Sequence, residues 1–232
     1  MRIGIVADVH CNHEGLAIAL ERMGPVDELL CVGDAVDQVR FSNEVMELLQ
    51  HRRARYVLGN HEEVLLGRWG ERARKAPAVR RENLTYMQSQ PFSLDVRLNG
   101  RNLYVVHGSP WGPYEGSTHA GSHAQAPLGQ TMGDFVVLGR THGYEYIYPT
   151  SPSLARLGEI GSDFVVLGHT HYHMAVRVGR SLVINPGSCG EARDHRNGFR
   201  LSCAILDTET EEVTFDHFDD PTRLPPPVGA HL

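Results

Sequence analysis

Apolar residues come in short unbroken runs, and each run stops at a glycine or at a residue with a lone pair to donate. Ile3 to Ala7 stops at Asp8, Leu29 to Val32 at Gly33-Asp34, and Arg55 to Leu58 at Gly59-Asn60. Leu103 to Val106 stops at His107-Gly108, and Phe164 to Leu167 at Gly168-His169. Runs this short, apolar at consecutive positions, predict strands buried on both faces. Between the first three lie stretches with helical spacing. Glu14 to Met23 puts Leu16, Ala19, Leu20 and Met23 on one face, with Asn12 placed to cap it, and Asn43 to Gln50 is a second helix. Strands alternating with helices predict a parallel sheet whose functional loops sit at the carboxyl ends of its strands.

The rhythm then changes to local pairs. Leu94 to Leu98 alternates, Asn99-Gly100 is a favoured two-residue turn, and Leu103 to Val106 is the returning strand. Met174 to Val178 with Ser181 to Ile184, and Cys203 to Asp207 with Glu212 to His217, repeat the hairpin pattern. Two sheets packed face to face, with helices outside, would bury all these apolar faces in one α/β domain.

That domain is expected over residues 1–220, with a Pro-rich tail at 221–232 outside the core. Within it, 134–142 repeats 163–171 except that Arg140 stands where His169 does. Residues 116–145 therefore read as an insertion carrying a duplicated strand, expected as a flap or an extra edge strand. Arginine has no lone pair at neutral pH, so the second copy is the expected ligand source.

With 232 residues and 41% apolar side chains, the chain can bury a full core. A net charge of -6 argues against an extended nucleic-acid surface. The N-terminus reaches a carboxylate at Asp8, which excludes a signal peptide there, and no apolar run approaches the roughly 18 residues of a membrane span. A cytoplasmic protein is the expectation. Cys11, Cys31, Cys189 and Cys203 lack C-x-x-C spacing, so no disulfide framework is expected.

The strand ends carry the chemistry. Asp8 and Asp34 supply carboxylates, Asn60 an amide oxygen, and His10, His61, His107, His169 and His171 imidazoles. In Asp8-x-His10 both side chains can turn to one side only if the backbone leaves the pleat. Such a mixed N/O donor set suits two metals sharing one ligand, and hence hydrolysis of a phosphate ester.

The ordered series Asp8-x-His10, Gly33-Asp34, Gly59-Asn60-His61-Glu62, Val106-His107-Gly108 and Gly168-His169-x-His171, with Asn185-Pro186-Gly187-Ser188, resembles the calcineurin-like metallophosphoesterase superfamily. It is most similar to the small bacterial and archaeal phosphodiesterase branch. The resemblance implies a four-layer α-β-β-α sandwich. It implies one metal on Asp8, His10, Asp34 and His171 and another on Asn60, His107, His169 and a bridging Asp34. It further implies a hydroxide between the metals as nucleophile, His61 as proton donor, and Asp37 as the carboxylate that orients His61. Two divalent ions follow, manganese first, with iron, zinc or nickel as alternatives, and a small phosphate ester as substrate.

Where this branch usually has Gly-Asn, this chain has Cys11-Asn12; Asn12 and Arg140 are the candidate substrate contacts. Diadenosine polyphosphate hydrolysis, phosphomonoester hydrolysis and a non-catalytic scaffold of the same fold are the alternatives to a phosphodiesterase.

Overall fold

A computed structural model describes residues 1–111 and 143–222 in full, and the backbone of 131–132 and 135–136 between them. Three parallel strands, β1 (Arg2–Val6), β2 (Glu28–Val32) and β3 (Arg55–Val57), form half of a first sheet. The helices between them are α1 (His13–Met23) and α2 (Asn43–His51). Asn12 Oδ1 accepts from Gly15 N and Ser42 Oγ from Val45 N, so both helices start on a side-chain cap. Three further short helices, α3 (Asn60–Leu66), α4 (Glu71–Arg74) and α5 (Arg81–Gln88), precede the second sheet.

That sheet opens with the antiparallel pair β4 (Ser93–Leu98) and β5 (Arg101–Val106). Both turn residues, Asn99 (φ 49°) and Gly100 (φ 77°), have positive φ, as the mirror-image hairpin turns require. Two-residue strands β6 (Thr131–Met132) and β7 (Phe135–Val136) follow, and β7 pairs antiparallel with β4 through Val136 and Asp95. The remaining elements are α6 (Leu154–Leu157), β8 (Phe164–Val166), β9 (His173–Val178), β10 (Ser181–Pro186), β11 (Leu201–Asp207) and β12 (Val213–Phe218). The five-stranded sheet has the order β12-β11-β1-β2-β3, and the seven-stranded sheet β6-β7-β4-β5-β8-β10-β9.

The two copies of the repeated segment thus take different places. Phe164–Val166 forms β8, parallel to both β5 and β10 in the middle of the sheet, whereas Phe135–Val136 lies near its edge. Apart from the stretches named above, the insertion at 116–145 lies outside the described residues, as do Tyr114, Arg140, His142 and the tail from 223 onward.

The central strands of each sheet are buried on both faces, which is why they read as continuous apolar runs, whereas β9 and β12 at the edges are partly exposed. Ile3, Ile5, Leu30, Val32, Leu103, Val105, Phe164 and Ile184 meet between the sheets. Alternate residues point outward: Val6, Cys31 and Tyr56 pack with α1 and α2, and Tyr104, Val106 and Val165 with α6. This is the four-layer sandwich. Cys31, Cys189 and Cys203 are buried free thiols, and Cys11 is a half-buried one. No helix among the described residues is long and apolar enough to cross a membrane.

Phe164 is fully buried between the sheets, so Phe164→Ala leaves a cavity that rigid strands cannot collapse. A loss of about 3–5 kcal/mol is expected, read as a lower urea midpoint at unchanged m-value.

Candidate metal centre

The carboxyl ends of β1, β2 and β3 in one sheet and of β5 and β8 in the other converge on a single rim. Of ten non-glycine residues with positive φ among those described, six stand there: Asp8, His10, Cys11, Asp34, His169 and His171. Left-handed backbone carries a strain of order 1–3 kcal/mol per residue and persists only where the surroundings enforce it. Here it takes the strand ends out of the pleat, which lets Asp8 and His10, and His169 and His171, turn to one side.

Three groups of side chains bring potential ligand atoms within 4.8 Å of one another: Asp8, His10 and His171; Asp34, His107 and His169; and His10, Asp34 and His61. All but His61 are buried. Asn60 Oδ1 lies 3.2 Å from His107 Nε2. Asp34 belongs to two of the groups, with Oδ2 3.1 Å from His107 Nε2 and 3.8 Å from His61 Nε2.

Backbone carbonyls fix which nitrogen of each ring carries hydrogen. His107 Nδ1 donates to Val32 O (2.7 Å), His171 Nδ1 to Glu191 O (3.0 Å) and His169 Nε2 to Tyr144 O (3.1 Å). In the neutral rings the lone pairs therefore fall on His171 Nε2 and His169 Nδ1, and on His107 Nε2 once that ring has lost its second proton, in the manner of metal-binding histidines steered by a second hydrogen bond. His10 Nε2 and His171 Nε2 face each other at 3.1 Å, a spacing natural for two lone pairs drawn to one cation. These donors fit a pair of divalent metals.

Burial sets the charges. It lowers His10 to about 4, His169 to about 3 and, with His10 adding to it, His171 to about 2, so all three are neutral bases at pH 7. Burial also lifts Asp8 well above the usual carboxylate range, with His107 opposing and Asp34 reinforcing the rise. His107 and Asp34 behave as an ion pair. Burial would lower His107, but Asp34 and then Asp8 hold it up at about 10; burial would raise Asp34, yet His107 keeps it low.

One residue anchors these loops without belonging to any of the three groups. Glu62, fully buried, accepts from the backbone N–H of Asp34 (2.9 Å), Val36 (3.0 Å) and Gly59 (2.7 Å), and from the Tyr56 hydroxyl (2.7 Å). It clamps the β2 loop to the first turn of α3. From there His61 N donates to Asp34 Oδ1 (2.8 Å). Gly59 is required by contact, since a Cβ there would lie 2.2 Å from Asp34 Oδ1. On the other side, Ser188 Oγ donates to Asp8 O, and Asn185 Nδ2 to Gly168 O and Thr170 Oγ1. The Asn185 to Ser188 segment is thus a brace for two ligand loops.

Asp37 Oδ1 lies 3.2 Å from His61 Nδ1 while its other oxygen accepts from Arg40 Nε. Asn12 is not brought into the centre. Besides its capping bond, its Nδ2 donates to Gly190 O and Asp220 Oδ1, which commits the amide to the scaffold. Arg193 pairs with Glu191 at 2.7 Å, and Asp194 with Arg196 and His173. Unforeseen from sequence is Tyr146, whose ring stacks on His169 with centroids 4.1 Å apart. The spacing Tyr144-x-Tyr146-x-Tyr148 was the available signal.

The family model of the calcineurin-like phosphoesterase superfamily domain matches residues 1–162 and 148–211. An uncharacterized protein of Methanocaldococcus jannaschii is 23% identical over 228 residues, which span 91% of this chain and 84% of that protein. A metallophosphoesterase from Sphaerobacter thermophilus superposes with a TM-score of 0.65 at 26% identity, over 95% of this chain and 89% of its own. A structure described as a novel archaeal phosphodiesterase shares the fold, with a TM-score of 0.54 at 21% identity over 94% and 100% of the two chains.

For His107 Nε2 to offer its lone pair it must first lose the proton it shares with Asp34. Because that proton is held up to about pH 10, divalent-metal affinity should rise as pH climbs from 6.5 toward 10, by about tenfold per unit at most. His10, His169 and His171 add nothing in this window. Titration calorimetry in buffers of different ionisation enthalpy should register net proton release on metal binding at pH 7.5.

Proposed function

The chain belongs to the calcineurin-like phosphoesterase superfamily, whose members are metal-dependent hydrolases, and from that premise we propose that it hydrolyses a phosphoric diester at a two-metal centre. Asp8, His10, Asp34 and His171 hold one cation; Asp34, Asn60, His107 and His169 hold the other. The observation that supports this reading is the position of Asp34, which groups with His107 and His169 on one side and with His10 on the other. Manganese is the first candidate by resemblance to the family, since a mixed nitrogen and oxygen donor set does not choose between it and iron, zinc or nickel.

When bound, such cations acidify water and neutralise charge on phosphoryl oxygens. The protein's own groups do the rest. Asn60 contributes a neutral oxygen, which limits negative charge where an anionic ester must approach. The three carbonyl-steered rings, His107, His169 and His171, hold their donor nitrogens oriented. His61, at the exposed side of the cluster, protonates the leaving oxygen through Nε2, while Asp37 beside Nδ1 keeps the ring turned that way.

Protein loaded with manganese should turn over a bis-aryl phosphate, lose that activity with chelator and regain it on adding metal back. Absence of chelator-sensitive turnover with any of manganese, iron, zinc or nickel would sink the reading. His61→Ala should keep its metal by elemental analysis yet lose about 10²- to 10⁴-fold in kcat. Asp34→Asn should bind fewer than two ions; full occupancy in that variant would rule out the bridge.

A further inference from the structure

We propose that Tyr146, Tyr148 and Tyr172 form an aromatic platform that receives the planar ring of a phosphoester substrate, so that the favoured esters are nucleotidyl ones. This deepens the hydrolase reading and rests on it.

The platform begins at the centre itself. Ser109 N donates to Gly143 O (2.6 Å) and Gly143 N to Ser109 O (2.8 Å), which fixes the start of the 143–148 segment beside the loop that carries His107. From there the chain alternates. Ile147 is buried with Leu154 and Leu157, while Tyr144 accepts through its carbonyl from His169 and donates through its hydroxyl to Glu63. Tyr146, between them, lies flat on His169 at 29° and still leaves 51% of its surface to solvent. What sets this ring apart from other exposed ones is its place, stacked directly on a candidate metal ligand, where a planar group of a bound ester can cover it.

The row continues outward. Tyr148 is parallel to Tyr146 within 9° at 6.4 Å, and Tyr172 stands edge-on to Tyr148 at 5.4 Å. Tyr172 is locked in turn: its hydroxyl lies 3.0 Å from His195 Nδ1, and the Arg196 guanidinium sits 5.0 Å above its ring, itself held by the buried Asp194. Rings held this firmly lose little freedom when a ligand stacks on them. A phosphoryl group at the centre places its ester substituent next to Tyr146, and nucleobases are the planar groups most often esterified through ribose to phosphate. Base stacking on aromatic side chains tolerates any base, so the platform selects a class of ester without fixing its sequence or sugar partner.

The test compares adenosine 5′-monophosphate with methyl phosphate as calorimetric ligands of the manganese-loaded protein. The wild type should bind the nucleotide about 5- to 100-fold more tightly. Tyr146→Ala should collapse that ratio, Tyr146→Phe should keep it, and Tyr148→Ala should reduce it. Equal affinities in the wild type, or an unchanged ratio in both alanine variants, would overturn the platform. Taking a ratio cancels any disturbance of His169 that affects both ligands. Hydrolysis of a bis-aryl phosphate without nucleotide preference would leave the enzyme standing and remove the platform. Preference for the nucleotide with no chelator-sensitive hydrolysis would do the reverse.

Discussion

Of the hydrogen bonds that join the two sheets where the chemistry lies, one also orients a ligand. His107, at the end of β5 in one sheet, donates through Nδ1 to the carbonyl of Val32, the last residue of β2 in the other. In the same stroke it leaves Nε2 as the nitrogen that gives up its proton and offers the lone pair. Gly168 N donates back to His107 O, and Cβ atoms at Gly33 or Gly59 would lie 2.5 Å and 2.9 Å from the His107 ring. The sheets can approach this closely only because glycine stands at the ends of β2, β3 and β8. Remove that closeness and the donors from the two sheets no longer share one space.

The centre is assembled against physical resistance. Two carboxylates and four imidazoles are withdrawn from water, several on left-handed backbone, where desolvation of the charged forms is expensive. The protein answers with directed hydrogen bonds: Glu62 satisfies three backbone N–H groups around Asp34, and the His169 N–H meets both oxygens of Asp8. Such a site is preorganised for cations, which supply the positive charge that the buried carboxylates lack. Stability of the apo rim is sacrificed for affinity.

Around this rigid rim the surroundings differ in kind. The Asn185 to Ser188 segment and the Asn12 amide are spent on backbone groups, so they hold the floor. The tyrosine row and the Asp37–Arg40 pair are partly open to solvent and flank the rim on opposite sequence elements. Chemistry and selectivity would thereby be separated: the candidate ligands sit at strand ends, and the tyrosine row sits on the segment before β8 and on the loop between β8 and β9.

The sequence by itself determined the strands, the hairpins and the identity of the donors. Buried strands need consecutive apolar residues, hairpins need Asn-Gly, and metal ligands need lone pairs, and all three requirements are written locally. Helices α3 to α6 were not legible, since elements of four to eight residues are too short to display a clear apolar period. Glu62 lay in a recognised motif, yet its role as a clamp depends on N–H groups from residues 34 and 36, which only folding brings near. Asn12, expected both to cap α1 and to meet phosphate, caps α1 with its oxygen, while its Nδ2 donates to Gly190 and Asp220, partners that only folding brings near. Two copies of one segment, nearly identical residue by residue, went to the centre and toward the edge of the same sheet. Local pattern chose which residues could serve, whereas tertiary structure decided which of them meet, because contact between distant strand ends depends on how the sheets pack and not on what either strand contains.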